Sequence, residues 1–256
     1  MHPARSDDHD RTIIAVEAGA VRAALRLEGL RIVPRLVSRD ARSAHVALVS
    51  GGALLLPGDA VRLHVRVGAG CALHLEDIGG MVAYGGTGER SHWSVDADIE
   101  PRGTLVWSAR PLVVADGARV QRATSVRLGA DGVALLRETV VLGRAGERGG
   151  SLDSRLRIDR AGRPLLIDGV RVSGEAPEPG VLGDQRVLDG VVLAGIRPPA
   201  HATDARVLAL DGPGALARHL GADTHSSPLH EVWPMWLDHV ERHQHAPDPT
   251  PERSRA

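Results

Sequence analysis

Three stretches of the chain carry one pattern: Val65–Leu75 (VRVGAGCALHL), Ala97–Trp107 (ADIEPRGTLVW) and Val126–Leu136 (VRLGADGVALL). Each reads as a strand, a tight glycine-containing turn and a second strand. Their starts are 32 and then 29 residues apart. A period of that length marks stacked supersecondary units, each covering its neighbour's apolar edge. The turns need residues that accept positive φ, and Gly70, Gly103 and Gly132 are the expected suppliers. The predicted fold is mainly β, a layered or superhelical β-structure of stacked strand-turn-strand units.

The flanking sequence has the same period of two. In Val61–Val67 every odd residue is apolar, and Trp93, Val95, Ala97 and Ile99 alternate with His92, Ser94, Asp96 and Asp98. Leu152, Leu156 and Ile158 repeat the pattern around Arg155 and Arg157. Such alternation makes half-buried strands. Helical signals come late, and a few C-terminal helices are expected. Thr203–Leu220 is broken by Asp211-Gly212-Pro213-Gly214, which predicts a strand, a turn and a short helix over Ala215–Leu220 ending at Gly221. From about Pro228 to Gln244, Leu229, Val232, Trp233, Trp236, Leu237 and Val240 fall at helical spacing. Pro234 is tolerated only in a first turn, which moves the expected start toward Trp233. Residues 1–10 and 246–256 lack periodicity and read as disordered arms around one β-rich domain over 11–245.

Composition narrows the function. All 31 basic residues are Arg, interleaved with Asp and Glu to a net charge of -1. A nucleic-acid footprint is a one-sided basic patch, and none is visible. Cys71 is the single cysteine, so no internal disulfide forms. No apolar run reaches the roughly 18 to 20 residues of a spanning helix. Met1–Arg11 has no apolar signal segment, and the cytoplasm is the expected location.

No catalytic constellation stands out. A chain without Lys has no Walker-type lysine, and neither Gly-x-Ser-x-Gly nor His-Glu-x-x-His occurs. Cys71 and His74, three apart on a strand, point to opposite faces and do not converge on one ion. His239 and His243 share a helix face, with His225, His230 and His245 nearby, and read as a solvated or partner-contacting surface. Glu138, inside an apolar run, and Glu147, after a Gly-Arg-Ala-Gly turn, have Arg137 and Arg144 as ready partners. Asp59 reads as a turn residue. Two other classes stay open on residues alone: a β-superhelical enzyme acting on polysaccharide, and a metal-independent β interaction domain. Only five aromatics are available as sugar platforms.

Several segments follow one another in a set order: Gly51-Gly52, Gly58-Asp59, the Val61–Leu75 unit, Gly143-Arg144 with Gly146-Glu147, Ser154-Arg155-Leu156-Arg157-Ile158, and Gly162-Arg163-Pro164-Leu165. Taken in that order, they resemble the UreD (UreH) family of urease accessory proteins. The resemblance covers roughly Arg31 to Val172. Glu76–Tyr84 keeps only the aromatic of the family's Thr- and Gln-rich stretch, and Ser108-Ala109-Arg110-Pro111 replaces its Pro-Asp. This looks like a divergent, actinobacterial branch.

The resemblance implies a non-catalytic scaffold with no tightly bound cofactor and transient nickel. Its implied partners are apo-urease, a helical UreF-like protein and a UreG-like nickel GTPase, with no nucleic acid and no membrane. It also implies a water-filled internal passage for nickel, where carboxylates replace hydration. Glu147, matching the family's Gly-Glu, is the first expected lining residue, followed by Glu138 and Asp59. Trp233, Trp236 and Leu237 are the expected partner anchors.

Overall fold

The computed structural model describes residues 11–178, 180–199 and 206–244. The assigned arms, together with Thr203 and His245, lie outside the described residues. Two sheets face each other across an aliphatic core of Val, Leu, Ile and Ala. The first holds β1 (Arg11–Glu17), β2 (Ala24–Glu28), β5 (Ala60–Val67), β8 (Ser91–Ile99), β11 (Arg119–Leu128), β13 (Ser151–Arg160) and β14 (Arg163–Ser173). Its order is β14-β13-β11-β8-β5-β1-β2. The second holds β3 (Ile32–Arg39), β4 (Ser43–Ser50), β6 (Ala72–Asp77), β9 (Thr104–Ser108), β12 (Val133–Leu142), β15 (Val187–Ala194), β16 (Val207–Ala209) and β17 (Gly214–Gly221). It runs β16-β17-β15-β12-β9-β6-β4-β3, and the short β7 (Met81–Ala83) and β10 (Leu112–Val114) join it through β12.

The sequence repeat is the register of this sandwich. Val65, Ala97 and Val126, which start the three units, sit side by side in the first sheet, where β5, β8 and β11 are parallel. Leu75, Trp107 and Leu136, which end them, sit side by side in the second. Each unit therefore crosses once from sheet to sheet. The crossing is a β-turn closed by Cys71 N–H to Gly68 O (3.0 Å), Gly103 N–H to Glu100 O (2.9 Å) and Gly132 N–H to Gly129 O (3.1 Å).

The turn glycines do different work from that expected. Gly70 does take positive φ, at 62°, but in the next two units that position is Arg102 (58°) and Asp131 (55°). Gly103 and Gly132 come one residue later. A Cβ on Gly103 would sit 2.9 Å from Glu100 O, so close backbone approach is what selects glycine there. Ile158 continues the register beside Val126. Here Ala161 and Gly162 both have positive φ (48° and 75°), as a two-residue type I′ hairpin requires. The chain turns back as antiparallel β14 instead of crossing, and the stack ends.

Two expectations about helices are corrected. Ala215–Leu220 is not a helix; it lies in β17, paired with β15. Ala, Leu and Arg favour helices, but alternate burial between two faces prevails over that weak preference. Among the described residues there is one helix, α1 (Leu229–Gln244), rather than a few. It begins before Trp233. Ser227 Oγ accepts from Leu229 N–H at 3.3 Å, and Pro228 follows this cap. Pro234 lies inside α1 and forgoes one bond, to the carbonyl of the exposed His230.

Candidate functional site

Alternation assigns every strand residue to a face, and among the described residues several charged side chains fall on the inward face. Asp77 follows Leu73 and Leu75 in β6, Arg122 lies between Val120 and Thr124 in β11, and Glu138 follows Leu136 in β12. Asp168 of β14 and Arg218 of β17 face inward in the same way. Arg122 Nη2 donates to Glu138 Oε1 at 2.6 Å, bridging the two sheets through the core. Arg218 is likewise paired with Asp168 across the seam between β14 and β17.

Between these ion pairs lies a cavity of about 60 Å3, walled by Arg122, Glu138, Ser154, Asp168, Gly190 and Arg218 among others. It exists because Gly190 separates Glu138 from Arg218 in the register of the second sheet. A Cβ on Gly190 would meet nothing nearer than 3.9 Å. The Arg218, Glu138 and Asp168 side chains are 32%, 28% and 24% exposed, whereas Arg122 is 9% exposed, so the cavity is open beside the first three and closed at Arg122. Beyond Arg122 is a second cavity of about 10 Å3, which Asp77, Trp93, Trp107 and Thr139 help to line. Asp77 accepts from Trp107 Nε1–H at 3.1 Å and from Arg110 N–H at 3.2 Å. Burial pushes its pKa up to about 6, against the opposing effect of these donors.

The three carboxylates expected from sequence occupy separate elements. Only Glu138 is in this interior, and its partner is Arg122 rather than Arg137. Neighbouring residues on a strand point to opposite faces, which puts Arg137 out of reach. Asp59 ties the start of β5 to Arg31 at 2.9 Å and caps its own turn through Leu56 N–H at 3.0 Å. Glu147 sits in the β12–β13 turn, bordering a separate cavity of about 290 Å3. It does pair with Arg144 (Nε–Oε1 2.8 Å) and accepts from the Arg144 and Asp116 amides, which hold its pKa down at about 2. Among the described residues no three His, Cys, Asp or Glu side chains are placed to hold a metal ion. Cys71 is buried in the core, and His239 Nε2 lies 2.9 Å from the Arg197 carbonyl.

The proposed partner anchors mostly face the protein. Leu229, Trp236 and Val240 are fully buried against Val106, Leu135, Val191 and Leu193 on the outer face of the second sheet, with Trp233 and Leu237 half-buried beside them. Polar contacts lock this packing. Asp189, 1% exposed, accepts from Thr139 Oγ1 (2.8 Å), Ser227 Oγ (2.6 Å) and Arg137 Nη2 (3.0 Å). Arg137 also reaches His230 Nδ1 at 3.2 Å.

A family model described as UreD urease accessory protein matches residues 21–248. The chain belongs to the UreD family. A relative named urease accessory protein UreD 1, from Streptomyces griseus, is 40% identical over 248 residues, covering 93% of this chain and 96% of its own. UreD proteins of Frankia alni and a Parafrankia species are 36% and 32% identical, covering 70% and 86% of this chain. The expected family and its actinobacterial leaning are thus both found. In this UreD chain the sequence reading missed Asp77, Arg122, Asp168 and Arg218. Their signal was present: each is a charged residue on the apolar parity of its strand.

Proposed function

We propose that this chain is a non-catalytic scaffold for nickel insertion into apo-urease, with the ion-paired interior of the sandwich as the nickel route. Family membership supports the urease connection. The observation that carries the route is the cavity walled by Glu138, Asp168, Arg122 and Arg218 inside an otherwise aliphatic core. Buried ion pairs are often less stabilising than apolar side chains of the same volume, so their presence asks for a reason other than stability. Carboxylates met in succession substitute for part of a cation's hydration without trapping it. In this reading Glu138 is the interior contact, while Glu147 and Asp59 act at the end of the sandwich where the parallel strands of the first sheet begin.

The nickel source is a UreG-like GTPase, reached through a UreF-like helical partner, and GTP hydrolysis there supplies the energy. All four Trp side chains are at least half-buried, and Trp93 and Trp107 face inward, which disfavours a sugar-binding platform. The test is Gly190→Leu, which fills the cavity from a position with open space in front of it. Co-expression with the partners should give normal complex assembly on size exclusion but at least tenfold slower activation of apo-urease. Full activation by an assembled Gly190→Leu complex would reject the interior route.

A further inference from the structure

Arg122 occupies an unusual position for so costly a group. It is 8% exposed and lines both interior cavities, so it stands at the boundary between them. On one side its Nη2 holds Glu138 at 2.6 Å. On the other side, Asp77 lines the small cavity together with Trp93, which is 4% exposed and whose Nε1–H has no partner among the described residues. A guanidinium has five N–H donors, and the bond to Glu138 uses one of them. A buried, unpartnered donor beside a buried carboxylate marks the small cavity as a place built for a polar occupant.

We propose that Arg122 is a displaceable counter-ion that swings between Glu138 and Asp77 and so decides whether a divalent cation can occupy the interior. The proposal rests on the reading of this interior as a cation route. With Arg122 on Glu138 the carboxylate is neutralised, and a dication arriving from the seam meets the guanidinium's like charge at close range. With Arg122 turned toward Asp77, Glu138 is released to face the larger cavity, and the guanidinium still has a carboxylate. The guanidinium has a carboxylate partner at either end of the motion and is never left buried and unpaired; the carboxylate it leaves is Asp77 in one arrangement and the 28% exposed Glu138 in the other. The arginine excludes cations unable to supply the charge it removes, and a divalent ion more than replaces it.

The experiment titrates nickel chloride into the full-length protein, followed by equilibrium dialysis, at fixed pH. Arg122→Met preserves length and removes charge. It should bind nickel at least tenfold more tightly than the wild type, and adding Glu138→Gln to it should abolish the gain. Equal affinity of Arg122→Met and wild type, or a gain that survives Glu138→Gln, overturns the proposal. Asp77→Asn gives an independent readout should Arg122→Met fail to fold. Arg122 then has no second carboxylate, and nickel affinity should fall at least threefold below wild type; no fall overturns the proposal. These titrations use the isolated chain, so their failure is distinct from failure of the route, which Gly190→Leu tests through urease activation.

Discussion

Replacing Asp189 by Ala should release α1 from the sandwich. The carboxylate is 1% exposed and accepts three hydrogen bonds, from Thr139, Ser227 and Arg137. Thr139 and Ser227 are themselves buried, so their hydroxyls are left without the acceptor they face. Removing one partner from a buried pair of this kind costs about 3–5 kcal/mol. For a domain of this size each kcal/mol is worth about 2–4 °C in Tm, giving a fall of about 6–20 °C. The loss should fall first on one element, because Ser227 caps α1 and an isolated 16-residue helix is marginal in water. Amide exchange over Leu229–Gln244 should therefore speed up by roughly a hundred- to a few-thousand-fold, at about tenfold per 1.4 kcal/mol. Hydrogen-exchange mass spectrometry resolves the segment, and a thermal melt gives the Tm. A Tm within about 2 °C of wild type, with unchanged exchange over the helix, would refute the assignment of Asp189 as its clasp.

Other expectations concern single positions. Asp77, with a folded pKa of about 6 against an ordinary 3.8, binds its proton more tightly when folded. Stability from the protonated form is present at low pH and lost as pH rises through about 6. At about 1.4 kcal/mol per pK unit, Asp77→Asn should gain on the order of 2–3 kcal/mol over wild type between pH 4 and pH 7.5, read from urea midpoints; a pH-independent difference would contradict it. Ala161→Gly relieves a left-handed alanine and should stabilise by up to about 1 kcal/mol after the entropic cost of glycine, measured by the same midpoints. Glu147→Ala should leave the fold and the complex intact but lower urease activation, and unchanged activity would remove Glu147 from the route.

Much of the fold could be read from sequence because its information is local in period. Val65, Ala97 and Val126 lie 32 and 29 residues apart in the chain, yet neighbour one another in the sheet. The repeat is therefore a direct record of the pairing. The interior site was not legible in the same way. Arg122 and Glu138 belong to different sheets, and Asp168 meets Arg218 across 50 residues of sequence. Periodicity fixes which face each occupies but not which partner stands opposite. Glu138 was matched to Arg137 because adjacency in sequence was taken for adjacency in space; strand parity forbids it. The helix expected at Ala215–Leu220 failed for a related reason. Leu216 faces the sandwich core while Ala215 and Ala217 face α1, and two buried faces produce no one-sided helical stripe.

The hairpin at Ala161-Gly162 has a consequence for how such a protein can change over generations. A parallel stack has no inherent length; each added unit presents the same open edge as the last. Here the count is fixed by one dipeptide whose geometry reverses the chain. A duplication of one unit ahead of it would widen the sandwich by one strand spacing, about 4.8 Å, with both boundaries untouched. The breadth of the interior is then a digital quantity, altered in whole steps by duplication rather than by gradual remodelling, while the residues facing it drift independently.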